Sequence, residues 1–185
     1  VVRDLVEKEI VPYASEMDET GKLHEGLLEK LAAQGLLGVA IPEEFGGAGL
    51  DAITIAAIYE ELGKGCAGVA TTVAANALAS YPVIIAGNDD QKKRYFDIIN
   101  EDNLAAFALT EPGTGSDAGS VSTRAMKTED GKGYILNGTK CFITNGALAE
   151  VFVVFANTRK SGGIRGLTAF IVRKGTPGFT VGKAE

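Results

Sequence analysis

The chain contains no tryptophan, one histidine and two cysteines among its 185 residues. His24 has no second histidine with which to share a metal ion, and the separation of Cys66 from Cys141 matches no metal-binding or redox motif. Such sparse cysteines are typical of small buried thiols in a reducing compartment. The sequence therefore predicts neither a metal site nor a disulfide framework.

Positive charge and long apolar runs are also scarce. Lys and Arg number 18 against 24 Asp and Glu, so the formal net charge is −6. Surplus negative charge argues against nucleic acid or an anionic membrane as the main partner. No apolar run approaches the length of a membrane span, and the Ala-rich residues 67–80 predict a buried helix rather than membrane insertion. The overall composition is ordinary for a soluble globular protein.

Apolar residues recur at helical spacing through the first hundred residues. The pattern predicts a bundle of about five or six helices joined by short links. The longer predicted helices cover residues 1–15, 23–37, 52–62, 67–80 and 91–100. We expect Asp51 to cap the third of these and Asp89 or Asp90 the last, because a carboxylate accepts hydrogen bonds from free N–H groups. Pro82 is expected to open a short turn of helix between the last two.

Alternating and β-branched residues replace the helical pattern after Glu101. Asn137-Gly138 lies between two apolar segments and predicts a hairpin, since both residues tolerate φ > 0. About six short strands without intervening helices predict an antiparallel sheet, sandwich or barrel, not a Rossmann fold. They lie at residues 120–126, 134–136, 140–144, 151–156, 167–172 and 179–181. The chain thus reads as an α+β protein, with an N-terminal α-helical domain at residues 1–102 and a β domain at residues 103–185.

Residues 107–117 carry most of the functional information, with the sequence Phe-Ala-Leu-Thr-Glu-Pro-Gly-Thr-Gly-Ser-Asp. An apolar run of β type leads into this segment, and its Pro and Gly residues then predict a tight, irregular loop. Bare backbone N–H groups and nearby hydroxyls can cradle an anion such as a pyrophosphate. Most loops of this composition only connect two elements, so composition alone leaves both interpretations open.

The order of these residues is more specific, because Thr-Glu-Pro-Gly-x-Gly-Ser-Asp after an apolar strand resembles the first signature of the acyl-CoA dehydrogenase family. Residues 137–146, Asn-Gly-Thr-Lys-Cys-Phe-Ile-Thr-Asn-Gly, resemble the flavin-flanking segment of that family. Residues 41–50 and 166–172 also resemble family segments, in the family's order. The resemblance implies a helical N-terminal domain, a β middle domain and a second helical domain. We expect this chain to be a fragment that lacks the last of these.

The resemblance also implies an FAD site. The cofactor-binding residues that it implies are Phe107, Leu109, Thr110, Gly115, Ser116, Phe142, Ile143 and Thr144. Thr110 would offer a hydrogen bond to the flavin ring, and Thr144 would lie beside the redox-active nitrogen. Ser116 would lie by the pyrophosphate or the acyl-CoA chain, and so also bind substrate. Many relatives carry Trp where this chain has Phe142. Taken singly, Phe142 reads as a core aromatic and Thr144 as a strand hydroxyl.

By this resemblance the complete protein is an FAD-dependent enzyme that oxidises an acyl-CoA thioester to the trans-2-enoyl-CoA and passes electrons to an electron-transferring flavoprotein. The family's catalytic base is a Glu on a later helix, so we expect no catalytic residue in this chain and a base beyond Glu185. We interpret Glu111 and Asp117 as turn-forming or capping groups. We interpret Lys140 and Arg124 as solvated strand residues.

Residues 138–144 and 166–172 look most like those of short-chain, butyryl-type members of the family. Relatives are usually homotetramers of the bacterial cytoplasm or the mitochondrial matrix, and we expect the same of the complete protein. Two alternatives remain open. One is an oxidase or monooxygenase relative on the same fold, which passes electrons to oxygen. The other is a non-catalytic module that binds flavin, acyl-CoA or a protein partner.

Overall fold

The computed structural model describes residues 1–159 and 163–182. The chain divides into two compact units, Val1–Leu104 and Ala105–Glu185. The first unit is built from helices and the second around a sheet.

The helices of the first unit follow the apolar pattern of the sequence. They are α1 (Val2–Leu5), α2 (Ala14–Thr20), α3 (Leu27–Ala33), α4 (Ala52–Gly65), α5 (Ala67–Ala86) and α6 (Asp89–Asn100). A π-helical turn at Val6–Ile10 and a 3₁₀ turn at Val11–Tyr13 join α1 to α2. Further 3₁₀ turns at Leu36–Gly38 and Glu43–Phe45 lie between α3 and α4. The predicted N-terminal helical region is confirmed.

The helix caps confirm one prediction and correct another. Asp51 Oδ1 accepts hydrogen bonds from the backbone N–H groups of Ile53 and Thr54, at 2.9 and 3.1 Å, and so caps α4 as predicted. The prediction of Asp89 or Asp90 as the cap of α6 is wrong. Asn88 caps this helix and exchanges two hydrogen bonds of 2.9 Å with Gln91 in a capping box. Both aspartates already belong to the helix, where the capping geometry no longer exists.

Helix α5 is longer than predicted because it continues through Pro82 to Ala86. At 20 residues it is long and apolar enough to cross a membrane by length and composition, with 44% of its apolar window buried inside the structure. The prediction that no apolar run reaches this length therefore needs correction. This is weak evidence for a membrane span, since the core helix of a globular protein passes the same test. Buried Asn76 within it donates to the carbonyl of Leu37 at 3.3 Å, as a polar group in a protein core must.

The core of the first unit forms where the apolar faces of the helices meet. Ile10, Leu31, Leu62, Val73 and Tyr95 are completely or almost completely buried there. Each such side chain stabilises the fold by about 1.5 to 3 kcal/mol relative to an exposed one.

Within residues 105–159 and 163–182, five strands form one mixed sheet. They are β1 (Ala105–Ala108), β2 (Arg124–Lys127), β3 (Tyr134–Asn137), β4 (Val151–Asn157) and β5 (Leu167–Arg173). Strand β4 pairs in parallel with β1 through residues 151–154 and antiparallel with β5 along its whole length. Strand β2 joins β4 in parallel at Asn157, and β3 pairs antiparallel with β2. Short 3₁₀ turns occur at Ala118–Ser120 and Gly163–Gly166.

The predicted antiparallel barrel or sandwich is not confirmed. Two of the strand pairings are parallel, and the pairings of the described strands do not close into a barrel. The chain between β1 and β4 is long and includes β2 and β3, so it can return and run in the same direction as β1. The pattern of apolar residues in a strand does not show whether its neighbour will pair with it in parallel or antiparallel.

The predicted hairpin at Asn137-Gly138 is also wrong, because neither residue has positive φ and β3 ends at Asn137. The hairpin instead joins β2 to β3 through residues 128–133, where Gly131 has φ 70°. Gly138 is needed for a different reason, since a Cβ there would lie 2.2 Å from Thr123 Oγ1. The strands predicted at residues 140–144 and 179–181 do not form.

Candidate functional site

The first predicted site segment leaves the sheet at the end of β1. Phe107 is half-buried on this strand, with its ring centroid 4.9 Å from that of Phe155 on β4. The small alanines on either side of it are buried, so the strand packs closely in the sheet. Leu109 and Thr110 follow the strand and are half-buried. These residues therefore start from a firmly paired strand.

The loop that follows is tight, as predicted, and Gly113 and Gly115 are exposed in it. Glu111 and Thr114 exchange two backbone hydrogen bonds of 3.0 Å, which close the Pro112-Gly113 turn. A Cβ on Gly113 or Gly115 would have no atom within 4 Å. Ser116 is exposed next to Gly115. An anion could approach the backbone here without steric hindrance.

Asp117 ends this loop as a turn-forming group. Its backbone carbonyl accepts from the Ser120 N–H at 3.0 Å, and its carboxylate accepts from the Ser120 hydroxyl. Asp117 therefore forms a turn, which is one of its two predicted roles, but its carboxylate caps no backbone N–H of the 3₁₀ turn that follows.

The second predicted segment is an arch, residues 141–145, and not a strand. Phe142 and Asn145 have φ values of 54° and 64°. Asn tolerates this left-handed region, whereas Phe adopts it only when its surroundings impose it. Phe142 is 76% exposed, Thr144 is exposed and Ile143 is half-buried. The structure thus excludes both the core-aromatic reading of Phe142 and the strand-hydroxyl reading of Thr144.

Hydrogen bonds tie the arch and the residue before it to β1 and the two residues after it. They join Cys141 N to Thr110 O at 3.0 Å, Lys140 Nζ to Leu109 O at 2.9 Å and Asn145 Nδ2 to Ala105 O at 3.1 Å. Residues 107–110 and 142–144, which are far apart in the sequence, are therefore neighbours in the fold. These bonds do not extend to Gly115 and Ser116.

Glu111 and Lys140 form a buried ion pair next to these hydrogen bonds. Their charged atoms are 2.8 Å apart, and the side chains are 2% and 11% exposed. Glu111 also accepts the backbone N–H groups of Ser122 and Thr123, at 2.7 and 2.9 Å, and both of their hydroxyls. The interpretation of Lys140 as a solvated strand residue is wrong, whereas Arg124 is an exposed residue of β2 as predicted. Glu111 does cap backbone groups, but as a buried charge rather than in a surface turn.

The electrostatics of this pair follow from its burial and its hydrogen bonds. Burial by itself raises the pKa of the Glu111 carboxyl, but the hydrogen bonds from Lys140, Ser122 and Thr123 outweigh it and hold the pKa well below the usual range. Burial lowers the pKa of the Lys140 ammonium, and the Glu111 carboxylate opposes that shift. We infer that both groups are charged near neutral pH.

The sequence patterns predicted neither the ion pair nor the positive φ of Asn145 and its hydrogen bond to Ala105. Glu111 and Lys140 lie in polar segments that read as solvated, and only the tertiary fold buries them together. Asn145-Gly146 carried a usable signal, because this dipeptide favours a turn residue with positive φ.

The arrangement suits a ligand that is planar and apolar at one end and anionic at the other. Phe142 offers an uncovered ring in a constrained backbone, and such a ring is a good stacking partner. The Thr110 and Thr144 hydroxyls can offer hydrogen bonds nearby. The open loop at Gly113 and Gly115 can receive phosphate oxygens. These residues fit a flavin dinucleotide.

Comparison with known proteins agrees with this class of site. Residues 1–101 match the model of the acyl-CoA dehydrogenase N-terminal domain, and residues 106–185 match that of the acyl-CoA dehydrogenase middle domain. The chain belongs to the acyl-CoA dehydrogenase family.

Two curated relatives illustrate the similarity. An acyl-CoA dehydrogenase of Bacillus subtilis is 43% identical, with an alignment that covers 100% of this chain and 49% of the relative. A short-chain-specific acyl-CoA dehydrogenase of Megasphaera elsdenii is 41% identical over the same shares of the two chains. The chain therefore spans about half the length of the curated relatives that it matches.

Solved structures share the fold. A chain in the structure described as an electron transferring flavoprotein of Acidaminococcus fermentans superposes with a TM-score of 0.92 at 40% identity, covering 100% of this chain and 48% of that one. An acyl-CoA dehydrogenase of Bacillus anthracis in complex with FAD gives a TM-score of 0.87 at 37% identity, covering 100% and 32%. The acyl-CoA dehydrogenases of this family are FAD-dependent enzymes.

Proposed function

We propose that the complete protein containing this chain is an FAD-dependent acyl-CoA dehydrogenase that converts an acyl-CoA thioester to its trans-2-enoyl-CoA. The observation that carries the proposal is the 3.0 Å hydrogen bond from Cys141 N to Thr110 O. It brings the two family signatures together at a place where Phe142 is uncovered. The membership of the chain in an FAD-dependent family supports the same conclusion.

The residues that would hold the cofactor lie in the two joined segments. Phe107, Leu109, Thr110, Phe142, Ile143 and Thr144 would contact the flavin, and Gly115 and Ser116 the pyrophosphate or the acyl-CoA. Phe142 would supply a stacking face, because its ring is exposed. The hydroxyls of Thr110 and Thr144 would offer hydrogen bonds to polar atoms of the ring. When bound, FAD would accept the electrons removed from the substrate.

The acidic residues of the loop are poorly suited to remove the substrate proton. Both carboxylate oxygens of Glu111 accept hydrogen bonds, and its side chain is 2% exposed. The carboxylate of Asp117 accepts from the Ser120 hydroxyl. A general base must reach the proton that it abstracts. We therefore propose, as the family resemblance implies, that the catalytic base lies beyond Glu185 in the complete protein.

We further propose a short, butyryl-type acyl chain and an electron-transferring flavoprotein as the electron acceptor. The short-chain-specific relative of Megasphaera elsdenii supports the first, and the flavoprotein structure from Acidaminococcus fermentans supports the second. A homotetramer in the bacterial cytoplasm or the mitochondrial matrix completes the proposal, and the relatives include both bacterial and mitochondrial proteins.

The test begins with the absorbance spectrum of the purified complete gene product. We expect a bound flavin whose absorbance bleaches anaerobically with acyl-CoAs, most completely with butyryl-CoA. Retained flavin without bleaching by any acyl-CoA would favour the non-catalytic alternative. Stopped-flow mixing of the bleached protein with air then separates the remaining classes. Slow reoxidation supports the dehydrogenase, and fast reoxidation would favour the oxidase.

A further inference from the structure

The buried ion pair occupies a position from which it can control the arch. Lys140 precedes the arch directly, and its ammonium bonds both the Glu111 carboxylate, at 2.8 Å, and the carbonyl of Leu109, at 2.9 Å. Both partners flank Thr110, a predicted flavin contact. The ammonium therefore joins the chain just before the arch to residues on either side of Thr110.

The arch is held at both ends, and Phe142 and Thr144 between those ends are exposed. At one end are the bonds of Lys140 and of Cys141, and at the other Asn145 Nδ2 bonds the carbonyl of Ala105 at 3.1 Å. Phe142, between these anchors, is 76% exposed at a φ of 54°. A bulky residue keeps such a conformation only where surrounding contacts impose it.

We propose that Glu111 and Lys140 are positioning residues, a clamp that sets the spacing between Thr110 and the arch and so pre-forms the flavin site. This inference rests on the proposed function. The pair acts through the residues that it holds, because the Glu111 side chain is 2% exposed and its oxygens are occupied. Removing the clamp should loosen the arch while the sheet stays intact.

Lys140 makes hydrogen bonds at this position that an apolar side chain could not make. The three ammonium hydrogens of a lysine can bond several oxygens at once, and Lys140 uses this capacity on Leu109 O and Glu111 Oε1. Ser122 and Thr123 fix the carboxylate on its other side. The clamp is therefore connected to the chain just before β2 as well as to the end of β1.

The main test variant is the double substitution Glu111→Gln with Lys140→Met. It removes both charges together, because a single substitution would leave one buried charge unpaired and could unfold the protein. Lys174→Met is the matched control, since Lys174 forms a 2.8 Å ion pair with Glu150 in the same unit but is 41% exposed. The single variant Lys140→Met is measured wherever it folds.

Two measurements on the complete gene product decide the proposal. The first is amide hydrogen exchange of the cofactor-free protein, which compares peptides over the arch with peptides over β4 and β5. The second is the dissociation constant for added FAD, from quenching of its fluorescence. In the double variant we expect exchange in the arch to rise about tenfold with β4 and β5 unchanged, and FAD affinity to fall about tenfold. Lys174→Met should change neither.

Several outcomes would overturn the clamp. One is unchanged exchange in the arch, and another is an equal rise across the whole sheet, which would indicate general destabilisation. A loosened arch with unaltered FAD affinity would also exclude a role in forming the site. A wild-type protein that binds no FAD would contradict the proposed function instead, and the exchange comparison alone would then decide whether the clamp holds the arch.

Discussion

At the scale of single residues, Glu111 links stability to pH. Its folded-state pKa lies below the ordinary value of 4.5. Its ionised form therefore stabilises the fold above about pH 4.5, and that contribution is lost as the pH falls toward the folded-state pKa. Near pH 7 we expect Glu111→Gln to lower the free energy of unfolding by about 3 to 5 kcal/mol, because it leaves Lys140 buried without its counter-charge.

Urea unfolding at a series of pH values checks this prediction. The difference in free energy of unfolding between wild type and Glu111→Gln should become smaller below about pH 4.5, as the wild-type carboxyl takes up its proton. Glu150→Gln is the control, because Glu150 is 43% exposed in its ion pair and its loss should be small at every pH. If this difference for Glu111→Gln stayed constant down to a pH of about 3, stability would not depend on the ionisation of Glu111.

Phe142 should matter for the cofactor and hardly at all for folding. Its side chain is 76% exposed, so Phe142→Ala should change the free energy of unfolding by no more than about 0.5 kcal/mol. Loss of the stacking face should weaken FAD binding about tenfold. Fluorescence titration and urea unfolding measure the two quantities. Leu148→Ala serves as the control, since Leu148 is also exposed and lies just after the arch, and equal FAD affinity in both variants would refute the assignment.

The sequence could point to Thr110, Phe142 and Thr144 as predicted cofactor contacts because they stand in ordered motifs. It could not reveal that Glu111 and Lys140 form a pair. Each is a charged residue in a polar segment, and such residues are mostly exposed. Their burial depends on a contact between segments far apart in the chain, which local patterns do not encode.

At the scale of elements, Gly138 illustrates how close packing limits the residue type. A Cβ at this position would lie 2.2 Å from Thr123 Oγ1 and 2.6 Å from Thr123 Cβ. We expect Gly138→Ala to push β3 away from the segment before β2 and to lower the free energy of unfolding by about 1 to 3 kcal/mol. Gly113→Ala is the matched control, because its Cβ would meet no atom within 4 Å. Thermal unfolding compares the two, and similar losses would contradict the steric explanation.

The start of α6 offers a second prediction for an element. Asn88→Ala removes the capping box with Gln91, so the free energy of unfolding should fall by about 1 kcal/mol. Asp90→Ala removes only a favourable charge in the first turn and should cost a few tenths of that amount, about 0.3 kcal/mol. Urea unfolding measures both. If Asp90→Ala lowered the free energy of unfolding more than Asn88→Ala does, Asp90 rather than Asn88 would be the functional cap.

Prediction at this scale succeeded where one local signal dominated. Asp51 before an apolar periodic run gave the cap of α4. The Asn137-Gly138 hairpin failed because Gly138 serves a close approach to Thr123 rather than a turn. Helix α5 exceeded its prediction because Pro82, which was expected to open a separate turn of helix, lies inside α5 instead.

At the scale of the whole molecule, the change from helical to alternating periodicity separated the helical half from the half with the sheet. The sequence did not show that β1 and β2 run parallel to β4. Alternation specifies which residues form strands and which faces they present, whereas the direction of each neighbour depends on the path of long connections. The family signatures carried the functional prediction further than any single element did.

The last prediction concerns what this length of chain can do. Glu111 is buried in an ion pair and the Asp117 carboxylate accepts from the Ser120 hydroxyl, so neither acid of the loop is well placed to remove a substrate proton. Because we place the catalytic base beyond Glu185, we expect residues 1–185, expressed alone and supplied with FAD, to show no oxidation of butyryl-CoA in an assay with an artificial electron acceptor. The complete gene product is the positive control and should turn over under identical conditions. Turnover by residues 1–185 would show that the base lies within this chain after all.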